Sequence, residues 1–340
     1  MYDLIAIGDM TLDVFLQIHD AEKLCRKDMR DCVLALSWAD KIPVDELHTV
    51  PCAGNAGNVA VGAARLGLKT ALVSMVGQDD IGMKITKALV QEGVHQEYVA
   101  VDAGQPSNYN TVINFQGERT ILVYHHPRTY KLPPLSPTKW VYYTSMGKGY
   151  ESFQRELLTW LAQYPEIKLA YNPGTHQMND GLEAMKLVLA RCEVVFVNKE
   201  EAEKILGQKG EINMLLKVMQ KLGPKIVVIT DGQNGAWVFE GKETWYMPVF
   251  SKEFVEKTGA GDAYATGFVT ALHAGCDIGI ALRWASAEST SVVNFIGPQK
   301  GLLDQAGMDE MLKKYKKVTA SRCHPFDKLR AGSERSEGSL

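Results

Sequence analysis

The stretch "IKLAYNPGTHQMNDGLEAMKLVLARCEVVFVN", Ile167 to Asn198, holds two short apolar runs separated by a segment with helical spacing. Runs such as "KLAY" and "VVFV" lack polar alternation, which marks strands covered on both faces. The helix between them covers Gly181 to Ala190. Strand, helix and strand in that order make a βαβ unit, because parallel strands need a crossover between them. The alternation continues outward. "WVYYTS" and a helix over Phe153 to Tyr164 come before it; helices around Glu200 and Leu215, then "KIVVIT", come after it. The expected class is α/β, with a central, mostly parallel sheet.

Toward the N-terminus, "LIAIGD" reads as a buried strand ending near Asp9, and "AGNVAVGAARLG" as a helix closed by Gly67. "TALVSMVG" is a further strand and Ile81 to Glu92 a further helix. Two regions break the rhythm. Residues 14 to 50 mix short apolar pieces with charge, and "EYVAV", "NTVINF" and "RTILVY" alternate as antiparallel strands do. Both read as β excursions from the core. "GAWVFEGKETWYM" reads as a hairpin turning at Glu240 to Lys242, and two helices close the fold after Gly261. Residues 319 to 340 lose hydrophobic period and gain Ser, Gly and charge, the composition of a disordered tail.

With 46% hydrophobic and 23% charged residues, the composition is that of a soluble globular protein. A net charge of -3 supplies no broad basic field, so nucleic acid is not an expected partner. The N-terminus enters a strand at once, and no segment has the apolar length of a membrane span. A cytoplasmic location is expected, with no membrane contact. Cys25, Cys32, Cys52, Cys192, Cys276 and Cys323 form no C-x-x-C pair and are expected to be buried or idle thiols.

Polar residues follow several strands: Gly8, Asp9 and Asp13; Asn172-Pro173-Gly174; Asn198; Thr230-Asp231-Gly232. Each alone is an ordinary turn. Together they fall on one rim, where open α/β sheets bind ligands. The strongest element is "EKTGAGDAYATGF", Glu256 to Phe268, whose glycines directly precede a helix. Such a loop aims backbone N–H groups and the helix dipole at one point, an anion site. Asp262 has two readings. It either caps its own helix, or acts as a general base beside donors that stabilise a transferring phosphoryl group. A P-loop, a complete dinucleotide fingerprint, protein-kinase signatures, H-E-x-x-H and G-x-S-x-G are all absent, and those classes drop out.

These residues resemble the ribokinase-like (PfkB) family of ATP-dependent sugar and nucleoside kinases. "AGNAGNVAVGAARLG" with "MVGQDDIGMKI" is similar to the family's N-terminal signature, and "EKTGAGDAYATGF" to its C-terminal one. Between them, "NKEEAEKILG" resembles its N-x-x-E element and "VVITDGQNGAWV" its nucleotide-site strand and hairpin. The order fits over residues 1 to 318. The resemblance implies a three-layer α/β/α sandwich whose segments 14–50 and 98–126 form a small β-sheet lid that shields the transfer from water.

It also implies roles. Asp262 is the base that deprotonates an acceptor hydroxyl, and Gly259, Ala260 and Gly261 supply N–H groups to the γ-phosphate of ATP. Asn198 and Glu201 help hold Mg²⁺ through waters; Thr230, Gly232 and Gly235 line the nucleotide site. Asp13, Gly54 and Asn58 bind the hydroxyls of a sugar, or of a nucleoside as the nearest alternative. A non-catalytic ligand-binding relative is the alternative of another class. The exposed lid strands imply a homodimer. Three positions depart from the family pattern: Ala53 replaces a glycine, Glu256-Lys257 replaces Asp-Thr, and Asp231 puts a charge where an apolar residue is usual. Glu256 occupies the position tied to monovalent-cation binding, so K⁺ enters as a question about this chain. His125, His126, Arg128 and Lys131 form a candidate site for a phosphate already on the substrate, whereas Arg119, in "GER", reads as a turn residue.

Overall fold

The structure, a computed structural model, describes residues 1–25 and 32–323. The chain begins with β1 (Tyr2–Ile7), an interior strand of the main sheet whose side chains alternate between two helical layers: Leu4 turns to one, Ile5 and Ile7 to the other. Parallel to it run β6 (Thr70–Gly77) and β7 (Val99–Asp102) on one side. On the other run β10 (Thr138–Tyr143), β11 (Lys168–Tyr171), β12 (Val194–Asn198) and β13 (Ile226–Thr230). The antiparallel strands β14 (Ala236–Glu240), β15 (Glu243–Met247) and β16 (Ser321–Cys323) complete a ten-stranded sheet.

One face is covered by α3 (Tyr150–Gln163), α4 (Thr175–Asn179), α5 (Leu182–Arg191), α6 (Lys199–Leu206) and α7 (Ile212–Gln220). The other carries α1 (Asn55–Arg65), α2 (Asp80–Gln91), α8 (Ala260–His273), α9 (Ile278–Val292) and α10 (Gln305–Lys314). This is the expected three-layer α/β/α sandwich. The chain leaves β1 for β6 and β7, then returns to β10 on the opposite side, so the strand order reverses beside β1. Open sheets bind ligands at such a reversal, beyond the carboxyl ends of the strands.

Above that end stands a separate four-stranded sheet of β5 (Glu46–Ala53), β2 (Thr11–Gln17), β8 (Tyr109–Phe115) and β9 (Glu118–Tyr124), in that order. Asp13 pairs with Asn110, Asn110 with Val123, Val112 with Ile121 and Asn114 with Arg119. Because side chains alternate along strands, Asp13, Asn110, Ile121 and Arg119 share one face. A two-stranded hairpin, β3 (Glu22–Cys25) and β4 (Cys32–Ala35), stands beside this sheet.

Five expectations need correction. "EYVAV" does not belong to the small sheet: β7 pairs parallel with β6 at the edge of the main one. An edge strand has one wet side, so its alternation matches that of a lid strand. Three helices, not two, follow Gly261, and the short α4 occupies part of what reads as a loop after Asn172. Cys25 and Cys32 are not idle thiols; they lie opposite each other in the β3–β4 hairpin and form a disulfide. Ser321 to Cys323, expected in a disordered tail, pair with β15, and the rest of that tail lies outside the described residues. Among the described residues, no helix is long and apolar enough to cross a membrane.

Candidate active site

The loop before α8 is fixed from below. Gly259 has φ +78°, and a Cβ there would sit 2.4 Å from Pro298 Cβ, so only glycine fits. Glu256 anchors the same loop. Its Oε2 accepts from Gly297 N at 2.8 Å, and its Oε1 accepts from the N–H and hydroxyl of Thr258. Val255 N and Glu256 N both donate to Val293 O, at 2.7 and 3.1 Å. The loop therefore rests on the end of α9 and on residues 297–298. Glu256 is a buried carboxylate with protein donors on both oxygens.

Gly259 is the N-cap of α8, which removes the capping reading of Asp262. Asp262 instead lies in the first turn with its side chain 8% exposed, accepting one hydrogen bond from Asn58 Nδ2 at 2.8 Å. Burial pushes its pKa up to about 7; the Asn58 bond pulls the other way, and the Glu201 charge adds to the rise. A carboxyl group so placed is a matched proton acceptor near neutral pH. Of the three expected backbone donors, Ala260 N is already engaged by Lys257 O at 3.3 Å. The remaining first-turn amides have no intrahelical acceptor, as at any helix start.

Asp262 faces a cleft of about 330 Å³ between the two sheets. Asp13, Asn58, Asn110 and Gly54 line one part; Asn172, Asn198, Glu201 and Thr230, at the ends of the main-sheet strands, line another. Gly54, at φ +93°, lets the start of α1 approach to where a Cβ would be 2.5 Å from Asp9 O. Asp13 accepts from Asn110 Nδ2 at 2.9 Å and from Thr11 Oγ1. Burial raises its pKa, partly offset by these two donors. A second, narrower cavity of about 110 Å³ adjoins the first. Gly232, Gly235, Met247, Val249 and Ser289 line it, and it shares Thr230, Ala260, Gly261 and Tyr264 with the cleft. The polar and apolar spaces thus meet at the first turn of α8.

Asn198 and Glu201 come together, but first as a capping box of α6. Asn198 Oδ1 accepts from Glu201 N and Glu201 Oε2 from Asn198 N, both at 2.8 Å. Both still line the cleft, where burial raises the Glu201 pKa. Among the described residues no group of three or more His, Cys, Asp or Glu converges as a metal site. The other Glu201 oxygen, Oε1, accepts no protein hydrogen bond among the described residues and is a hard donor of the kind that hydrated divalent cations contact. Asp231, the unexplained charge, accepts from Asn234 Nδ2 at 3.0 Å and braces the tight turn that Gly232 begins.

The candidate phosphate cluster is not assembled around Arg128. Arg128 is buried in an ion pair with Asp102, at 2.9 Å, and donates to Pro106 O at 2.6 Å. His125 is half-buried, and burial lowers its pKa. The cations at the cleft are instead Arg119 and Lys257. Lys257 pairs with Glu118 at 2.8 Å and so ties the loop before α8 to β9. Arg119 is a strand residue, not a turn residue, and among the described residues no carboxylate pairs with it. The alternation of "RTILV" carries that signal. Nothing in the sequence marks Gln299, whose Nε2 donates to Asn58 Oδ1 at 3.0 Å.

Residues 29–305 match the model of the pfkB family carbohydrate kinases, and the chain belongs to that family of phosphotransferases acting on hydroxyl groups. It is 24% identical over 329 residues to the ATP-dependent 6-phosphofructokinase of Thermoanaerobacterium thermosaccharolyticum, covering 92% of this chain and 94% of that one. The nucleoside kinase of Methanothermobacter thermautotrophicus is 26% identical over 255 residues, covering 74% and 84%. The structure of Arabidopsis thaliana ribokinase complexed with ribose and ATP superposes with a TM-score of 0.75 at 20% identity, covering 92% of this chain and 99% of that one. That last likeness speaks for the fold.

Proposed function

We propose that this chain transfers the γ-phosphate of ATP to a hydroxyl group of a sugar, with Asp262 as the general base. The observation that carries this reading is the buried Asp262 carboxylate, with its pKa raised to about 7, beside the helix turn where a polar cleft meets an apolar slot. The slot lined by Met247 and Val249 suits a flat base, and Thr230, Gly232 and Gly235 border it. The amides of Gly259 and Gly261 receive the transferring phosphoryl group, where charge develops and fixed donors are most effective. Asp13, Asn58 and the close backbone at Gly54 hold the acceptor hydroxyls. Mg²⁺, held near Asn198 and Glu201, neutralises phosphate charge; no monovalent cation is assigned to Glu256. The small sheet, pinned by Lys257 and Glu118, keeps water from the reacting groups.

A binding protein with this fold has no need of a proton acceptor at this point. Asp262→Asn keeps the shape and the Asn58 contact but removes the base. We expect kcat in a coupled ADP-release assay to fall by about 10²–10⁴-fold while ATP binding changes little; near-normal kcat contradicts the assignment.

A second reading, that the sugar already carries a phosphate, is favoured by Arg119. It lies on the Asp13 face of the small sheet, two strands across and four residues along. That places the two Cα atoms about 16 Å apart, with side chains reaching into the gap from both ends. A guanidinium without a protein carboxylate is suited to an anionic group. The relative named as a 6-phosphofructokinase accords with this. Screening pentoses, hexoses, phosphosugars and nucleosides decides it. Arg119→Ala should raise KM for a phosphosugar at least about tenfold and leave KM for ATP unchanged; a rise in KM for ATP alone assigns Arg119 to the nucleotide.

Strand β9 is exposed along its whole length, with Ile121, Leu122, Val123 and Tyr124 all uncovered, and Trp38 is 97% exposed. An apolar edge of this kind requires cover. A homodimer through the small sheet follows, to be checked by light scattering, where a monomeric mass removes it.

A further inference from the structure

Asn58 donates to Asp262, yet an amide side chain can present either its N–H₂ or its oxygen, and only the hydrogen-bond network decides which. Here the network has a fixed end. Cys52 O is a backbone carbonyl and can only accept, so the group facing it, 2.7 Å away, is the Gln299 N–H₂. The same Nε2 donates to Asn58 at 3.0 Å, which obliges Asn58 to turn its oxygen that way. The Asn58 N–H₂ is left facing Asp262 Oδ2 at 2.8 Å. Cys52 Sγ, 3.4 Å from Gln299 Oε1, donates to it and agrees with this orientation.

We propose that Gln299 is a positioning residue that sets the protonation of Asp262 by locking the Asn58 amide with its N–H toward the carboxylate. Gln299 is 6% exposed and Asn58 4%, so no bulk water competes for these bonds. The chain that carries the orientation crosses from β5 through the segment after α9 to α1 and α8. Without the Gln299 donor, the Asn58 amide is free to rotate and present its oxygen to Asp262. Two facing oxygens favour a shared proton, hence the neutral acid and a smaller fraction of competent, deprotonated base at a given pH. The other titratable or charged groups about Asp262 are Glu201, whose charge raises its pKa, Asp13, Arg119 and Lys257 around the cleft, and the neutral phenol of Tyr142 beneath it. Arg65 and Glu288 belong to the α1 and α9 packing behind. None of these has a hydrogen bond to Gln299's side chain, so replacing that side chain leaves their contacts in place.

The inference rests on Asp262 as the base, which Asp262→Asn decides separately. Gln299→Met keeps length and shape without the amide, and Gln299→Leu removes the donor without adding a charge or a hydroxyl. In either variant, with its fold checked by circular dichroism, the acid limb of the kcat/KM profile should move up by about one pH unit, with KM for ATP unchanged. A variant that folds and loses rate with the limb unmoved overturns the proposal. The unaltered protein offers an independent reading: the ¹⁵N signal of the Asn58 side-chain amide should titrate together with the activity. A signal constant through that range means that no Asn58 N–H faces Asp262.

Discussion

A carboxylate buried in the first turn of α8 is the constraint around which the site is built. Removing Asp262 from water disfavours its charged form, and Asn58 supplies one hydrogen bond in partial compensation. A group poised in this way can take a proton from an alcohol only if the new negative charge is stabilised elsewhere. In the proposed reaction the first-turn amides of the same helix meet that need, because their positive potential lies beside the carboxylate. Under that proposal base and anion site are one local structure.

That structure is held by Gly297, Pro298 and Gln299. Gly297 donates to Glu256, Pro298 packs where Gly259 lacks a side chain, and Gln299 orients Asn58. Three successive residues thus set the height of the loop, the close contact beneath it and the hydrogen bond to the carboxylate. Glu256 belongs to this support. Its two oxygens accept from Thr258 and Gly297 and so join the loop to the segment after α9.

The parallel sheet was legible because strands buried on both faces read as unbroken apolar runs, and "KLAY" and "VVFV" can be little else. Asp262 was legible through the glycines before it. What escaped depends on tertiary context. "EYVAV" has the same alternation at the edge of a parallel sheet as in a lid. Cys25 and Cys32 meet only because β3 and β4 pair antiparallel with the two residues opposite each other, which seven positions of spacing do not reveal. Arg119 looked like a turn residue because Gly117 precedes it, although the period of β9 turns it to the cleft. Arg128, with the same charge, is buried against Asp102. Gln299 carries no local mark, since its role is defined by two partners far away in the chain.

The pH dependence of kcat/KM for ADP release by the unaltered protein tests the central claim most directly, because it reports the essential base of the free enzyme. Asp262 is competent only when deprotonated, and its raised pKa means that activity is lost as pH falls through that value. The account predicts a one-proton acid limb with its midpoint near pH 7. A rate that stays flat down to about pH 5, the range of an ordinary carboxylate, contradicts it.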